Sequence, residues 1–329
     1  MNRGARTTIP AAIADFAVQV TEAADRIRPV VVETPVEQIE GLVPDIGAEL
    51  FFKLENRQNT GSFKLRGASN KILSLLPQQA AQGVIAASNG NHGLGVAAAA
   101  RAAGIAVEVY VSNQVSPSKV RRIEEYGAHI KRIGNDPLEA ELAARAAAGE
   151  QSKIFISPYN DAQVMAGQGT IAVELLRQLP PLDAVFVAVG GGGLIGGIGA
   201  YIKCASPQTE VVGCWPKNSP VLYESIKAGR ILDVAEQPTL SESTAGGLEP
   251  GSVTLEICSH VIDSALLVSE TEILDAMRKV RALKGWVIEG AAAVAVAAFL
   301  KNADHYKRKK VAVVICGANV SERVLSALG

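Results

Sequence analysis

Aromatic residues are scarce in this 329-residue chain: seven Phe, six Tyr and two Trp make up 5 % of it. A core so poor in rings is filled by aliphatic side chains and by close backbone approach. The 31 glycines and abundant alanines suit helices laid tightly on a sheet. Charge of either sign is not in excess, because 32 Lys and Arg face 33 Asp and Glu. That balance excludes an electrostatic grip on nucleic acid or on an anionic membrane surface. Only four cysteines occur, Cys204, Cys214, Cys258 and Cys316, with no C-x-x-C and no His/Cys zinc spacing. Reduced thiols in a cytoplasmic protein, without a metal site, are the expectation. Long apolar runs are missing too: Gly290 to Leu300 is too short to span a bilayer. Pro10 and Asp15 interrupt any apolar stretch after Arg3 and Arg6, so no signal peptide is expected. Neither a fixed-period repeat nor a low-complexity linker is visible.

What remains is a regular alternation. Residues 11 to 27 place Ile13, Phe16, Val20, Ala24 and Ile27 on one helical face. Short apolar runs read as strands at Val30–Val32, Glu49–Glu55, Gly83–Ala87, Val107–Val111, His129–Ile133 and Ile154–Ile156. Others follow at Asp183–Val189, Val211–Cys214, Ala265–Val268 and Lys310–Ile315, with helical stretches between them. Residues 231 to 252, rich in Ser, Thr, Gly and Pro, read as irregular. Strands alternating with helices predict an α/β fold of open parallel sheets covered on both faces. Two α/β layers sharing a cleft are expected, with the chain crossing between them more than once.

Ligands of such sheets sit at the carboxyl ends of strands, and four segments with that address are unusual. Asn59-Thr60-Gly61-Ser62-Phe63-Lys64 puts a lysine in the first turn of a helix, with Ser62 as the expected N-cap. The helix dipole disfavours a cation there, and desolvation would make the amine easier to deprotonate. A neutral amine is what Schiff-base chemistry needs, although a solvated surface lysine is the commoner case. Ser88-Asn89-Gly90-Asn91-His92-Gly93 opens a helix with small and amide side chains, suited to a carboxylate or to ordinary capping by Ser88 or Asn91. Gly190-Gly191-Gly192-Gly193 lets the backbone wrap a phosphate. It also contains G-x-G-x-x-G, but the next strand ends Cys214-Trp215-Pro216-Lys217, without the acid that a dinucleotide site places on its ribose. Cys316-Gly317-Ala318-Asn319 offers a thiol readable as a small hydrophobe, a thiolate without a sequence-adjacent histidine, or a weak partner for a ring atom. A phosphate, a centre that reacts with an amine and a second anion together describe pyridoxal phosphate with an amino-acid substrate.

The segments Lys53-Leu54-Glu55 with Gln58, Thr60 to Ala68, Ala87 to Gly93, Ser116 to Lys119, Ala166 to Thr170, Gly190 to Leu194 and Glu289-Gly290-Ala291 resemble one family. It is the β-family, or fold type II, of pyridoxal-phosphate enzymes, in its threonine/serine dehydratase and serine racemase branch. The likeness runs from about residue 20 to residue 325. It implies a tryptophan synthase β-like pair of domains, 1–78 with 158–329 as the large cofactor-binding domain and 79–157 as the small one, with the cofactor between them. It implies that Lys64 forms the Schiff base and then acts as base at Cα, and that Phe63 packs near the ring. Asn91 would bond the ring hydroxyl oxygen. Gly190, Gly191, Gly192, Gly193 and Leu194 would hold the phosphate, and Cys316 would face the ring nitrogen. Ser88, Asn89, Gly90, Asn91 and His92 would hold the substrate carboxylate. The implied reaction is dehydration and deamination of a 3-hydroxy amino acid to a 2-oxo acid and ammonia, by a homodimer.

Three departures from the branch narrow that reading. Asn89 stands where racemases of the branch have a proton-donating serine. Trp215 stands where their metal-binding glutamate lies. Ala245-Gly246-Gly247 replaces the usual Ala-Asp-Gly. Cys214-Trp215-Pro216 and Ser241 to Gly247 resemble instead the dehydratase subgroup associated with hydroxyectoine breakdown.

Overall fold

The computed structural model describes residues 10–43 and 46–328. Ten strands among them form two sheets. The larger has six strands in the order β1-β2-β10-β7-β8-β9. They are β1 (Val36–Gln38), β2 (Glu49–Lys53), β7 (Ala184–Ala188), β8 (Glu210–Pro216), β9 (Ser264–Val268) and β10 (Lys310–Val314). The smaller, β5-β4-β3-β6, is built from β3 (Val84–Ala87), β4 (Val107–Val111), β5 (His129–Arg132) and β6 (Ile154–Phe155). Every pairing is parallel except β1 with β2. The larger sheet is therefore mixed at its edge.

The expected strand at Val30–Val32 is absent. Val30 and Val31 both donate to the Ile27 carbonyl and continue the turn that ends the first helix. The Gln58 amide takes the place of a ladder partner for Val32, bonding both its N–H (2.9 Å) and its C=O (2.8 Å). The edge strand forms later, at Val36. The first helix, Ala11–Ile27, buries Ile13, Phe16, Val20 and Ile27 as the spacing predicts, with Ala23 in place of Ala24. Three further helices, Pro77–Gln82, Thr254–Val261 and Glu322–Leu328, are too short or too polar to announce themselves in the sequence.

Three helices stack where their glycines meet. A Cβ on Gly167, in the helix Ala162–Gln178, would lie 2.6 Å from the Arg66 carbonyl in the helix Lys64–Leu73. One on Gly169 would lie 2.7 Å from the Gly197 carbonyl in the helix Gly193–Ala205. The Ala166 to Thr170 motif is thus a packing motif that brings the Lys64 helix against its neighbours. A buried ion network fixes the same helix from below. Arg66 donates to Glu55 (2.8 Å) and to Glu174 (2.6 Å), and Lys53 donates to Glu174 (2.6 Å). Lys53 and Glu55 lie at the end of β2, so the network ties that strand to both helices.

The topology explains where the site falls. In the larger sheet the chain runs outward from β7 to β8 and β9, while β10 returns on the other side of β7. In the smaller sheet it runs from β3 to β4 and β5, while β6 returns on the other side of β3. Each sheet has its switch point there, and crevices open beyond the carboxyl ends of strands at such points. Because β10 lies between β2 and β7, the loops after β2, β10 and β7 are neighbours.

Candidate active site

Those loops, with the one after β3, line a cleft of about 1640 Å³. The residues expected to hold the cofactor and the substrate carboxylate line it: Phe63, Lys64, Ser88, Asn89, Gly90, Asn91, His92, Gly190, Gly191, Gly192, Gly193, Leu194 and Cys316; Trp215 does not.

Lys64 is the first residue of its helix. The N-terminal cap is Phe63 and not Ser62, whose hydroxyl is buried with no hydrogen-bond partner among the described residues. Ser62 is instead extended against Gly317 in an isolated antiparallel bridge, and Phe63 donates to the Cys316 carbonyl (3.0 Å). That pairing docks the lysine loop on the loop after β10. The Lys64 ammonium donates to the Pro158 carbonyl (2.8 Å) and lies 5.1 Å from the Phe63 ring centre. Desolvation lowers its pKa to about 8, against the opposing pull of Glu289 and Cys316. A substantial fraction of the amine is therefore neutral near physiological pH.

The Gly190 to Gly193 loop is a cradle that side chains would fill. A Cβ on Gly190 would lie 2.8 Å from Thr244, and one on Gly191 2.5 Å from the Tyr159 ring. Gly192 has φ +89°, in the left-handed region that favours glycine. The helix Gly193–Ala205 starts from this loop, so its first N–H groups, without intrahelical acceptors, add to an anion site.

The loop after β3 differs from ordinary capping. The cap of the helix Asn91–Ala103 is Gly90, and no side chain caps it. Ser88 accepts from the Gly90 N–H (3.1 Å). Both ends of the Asn89 amide are committed to Ser112: Nδ2 donates to its hydroxyl (2.8 Å) and Oδ1 accepts from its N–H (3.0 Å). The buried His92 ring donates through Nε2 to the Ile156 carbonyl (2.8 Å). Burial first, then the Lys64 charge, lowers its pKa to about 3, so it stays neutral. What this loop offers a carboxylate is backbone N–H in the first helical turn.

Cys316 is buried, and burial, with Glu289 adding to it, pushes its thiol well above the ordinary value. The neutral thiol is favoured, and it donates to Glu289 Oε1 (3.3 Å). Sequence reasoning gave no role to Glu289, Asn319 or Tyr159, which also line the cleft. Glu289 Oε2 accepts from Asn91 Nδ2 (2.8 Å), and Asn91 Oδ1 accepts from Asn319 (2.6 Å). Tyr159 packs its ring on Gly191 and accepts from the Glu249 N–H (2.8 Å). Glu289 stood in a motif, but its partners are 198 residues away at Asn91 and 27 at Cys316.

The profile described as "Pyridoxal-phosphate dependent enzyme" matches residues 27–317, and the chain belongs to that family. Within it the chain falls in the threonine/serine dehydratase branch. It is 38 % identical over 309 residues to the L-threonine ammonia-lyase of Thermotoga maritima, covering 94 % of this chain and 77 % of that protein. It is 33 % identical to the serine racemase of Arabidopsis thaliana, covering 92 % of each. The processed form of threonine deaminase isoform 2 from Solanum lycopersicum superposes with a TM-score of 0.93 at 28 % identity, covering 99 % of this chain and 95 % of that one. The residues present suit pyridoxal phosphate: a glycine cradle for its phosphate, a desolvated amine for its aldehyde, and an amide beside that amine.

Proposed function

We propose that this chain is a pyridoxal-phosphate-dependent ammonia-lyase that converts a 3-hydroxy amino acid to a 2-oxo acid and ammonia. The observation that carries the reading is Lys64, with its pKa lowered to about 8, in one cleft with the glycine cradle and the Ser88 to Gly93 loop. Bound there, the cofactor supplies an aldehyde for amine attachment and an electron sink for the Cα carbanion. Gly190 to Gly193 and Leu194 hold its phosphate, Phe63 flanks its ring, Asn91 donates to its ring oxygen and Cys316 lies toward its ring nitrogen. The N–H groups of the Ser88 to Gly93 loop hold the substrate carboxylate. Lys64, neutral once displaced, takes the Cα proton. The β-hydroxyl leaves as water, the product enamine becomes an imine, and hydrolysis of that imine consumes one water and releases the 2-oxo acid and ammonia.

Asn89 supports elimination over racemisation. An amide has no transferable proton, and this one is held at both ends by Ser112. Gly246 and Trp215 support a substrate of the hydroxyectoine-breakdown subgroup. Gly246, at φ +124°, gives its N–H to Glu236 and offers no side chain where the branch has an aspartate. Trp215 is buried against Tyr223 and offers no metal ligand. A homodimer in a reducing cytoplasm suits four unpaired thiols and the family resemblance.

The test is a screen for 2-oxo-acid release from serine, threonine, 3-hydroxyaspartate and hydroxyectoine-derived amino acids, with chiral analysis of unreacted substrate. Release of keto acid with retained configuration is expected. Extensive inversion without keto acid would sink the reading.

A further inference from the structure

The Asn91 amide sits in a hydrogen-bonded chain whose direction is set by the Thr60 carbonyl. At one end is the Thr60 carbonyl, which can only accept. Asn319 Nδ2 donates to it (3.0 Å), which fixes the Asn319 side chain with its NH₂ toward Thr60. The same NH₂ donates to Asn91 Oδ1 (2.6 Å), so the Asn91 oxygen is already satisfied. Its NH₂ then turns to Glu289 Oε2 (2.8 Å). One of its two hydrogens is used there and the other remains for a ligand. At this far end Glu289 accepts again, from the Cys316 thiol (3.3 Å), and Ser243 adds a third donor. The carboxylate is buried, and there is room for it only because residue 317 is glycine. A Cβ on Gly317 would lie 2.7 Å from Glu289 Oε1. Asn319 is held against the lysine loop in the same way: Ala318 donates to the Gly61 carbonyl (3.0 Å), and a Cβ on Gly61 would lie 3.1 Å from Asn319 Oδ1.

We propose that Asn319 and Glu289 are positioning residues that set the polarity of the cofactor-ring site, Asn319 by donating to Asn91 and Glu289 by accepting from Asn91 and Cys316. Together they make Asn91 present N–H, never C=O, to the ring oxygen. The inference rests on the reading that Asn91 faces the ring oxygen of pyridoxal phosphate.

Asn319→Asp is the sharp variant, because it keeps the shape and removes the donor. Its carboxylate would face the Thr60 carbonyl and the Asn91 oxygen; relief comes by turning Asn91 over, and Glu289, whose pKa burial raises, then takes a proton to meet the Asn91 oxygen. The Asn91 oxygen then meets the ring oxygen, and that oxygen holds its proton more tightly. Asn319→Ala removes the anchor without reversing it. Pyridoxal phosphate is titrated into each apoprotein, and the visible band of the bound cofactor is followed against pH. With Asn319→Asp, affinity is expected to fall about tenfold or more. The pH midpoint of the band is expected to move, and both effects should exceed those of Asn319→Ala. A role in packing alone predicts the opposite order, because alanine leaves the larger gap. Glu289→Gln, which keeps only one of the two accepting oxygens, is expected to shift the midpoint as well. Thermal melts of the apoproteins establish folding. Should Asn319→Asp not fold, an unshifted band in both Asn319→Ala and Glu289→Gln overturns the proposal. Wild-type affinity and midpoint in a folded Asn319→Asp also overturn it. Asn91→Ala separates the two levels: if it leaves the band unchanged, the reading of Asn91 itself fails, whereas a shift there with silent Asn319 variants defeats only the polarity.

Discussion

Lys64 combines a helix N-terminal position with burial, and both disfavour its charge. Only the neutral amine attacks an aldehyde. The rate of cofactor attachment to the apoprotein should therefore rise about tenfold per pH unit below the pKa and level off above about 8. Stopped-flow mixing across that range checks it, and a rate that keeps rising tenfold per unit well above pH 8 would count against the lowered pKa. Lys64→Ala should lose both turnover and covalent attachment, the latter read by borohydride trapping and mass spectrometry. The lysine was legible in the sequence because its neighbours Gly61, Ser62 and Phe63 mark a strand-to-helix turn. The role of Ser62 was not, because the chain spends that residue on a bridge to Gly317, 255 positions on. Glu289, Asn319 and Tyr159 escaped for the same reason. Side chains of these types carry no local signal, and their meaning lies in partners that only the fold brings near.

Among elements, the glycine loop and the three stacked helices are sensitive to small additions. Gly191→Ala places its methyl carbon about 2.5 Å from the Tyr159 ring, and the loop must shift to accept it. Overpacking of this kind costs about 1–3 kcal/mol. Because the strain falls on the cradle, cofactor affinity is expected to drop about tenfold, measured by dialysis against pyridoxal phosphate. Arg66→Ala acts differently. It leaves buried Glu55 without its ion-pair partner and Glu174 with Lys53 alone, and breaking a buried pair in this way costs about 3–5 kcal/mol. Urea unfolding of the apoprotein measures it. The helices that sequence reasoning found are those with a full apolar stripe, such as Ala11–Ile27, or with a proline and a cap, such as Pro137–Glu150. Val30–Val32 misled because three β-branched valines have strand propensity, yet the Gln58 side chain satisfied the backbone instead of a neighbouring strand.

At the scale of the whole molecule, acid should be the weak side of the buried ion network. Burial alone would raise the Glu174 pKa from 4.5, but Arg66 and Lys53 outweigh it and hold the folded value lower. A depressed carboxylate contributes stability that is complete above its unfolded value and is lost as pH falls through the folded one. Urea midpoints measured from neutral pH downward should therefore fall below about pH 4.5, and Glu174→Gln should flatten that part of the curve.

The position of β10 has a consequence in time. It comes last in chain order among the described strands, yet it lies in the sheet between β2 and β7. Until Lys310 to Val314 emerges from the ribosome, β2 and β7 each keep an unpaired edge turned toward the same gap. The loop that follows β10 brings Cys316 and Asn319, so the ring site cannot exist on a nascent chain that lacks it. Pairing over such sequence separations is slow, and open edges invite other chains. Cofactor capture would thus wait on the arrival of β10, and a chain cut before Lys310 would be born with its central seam open.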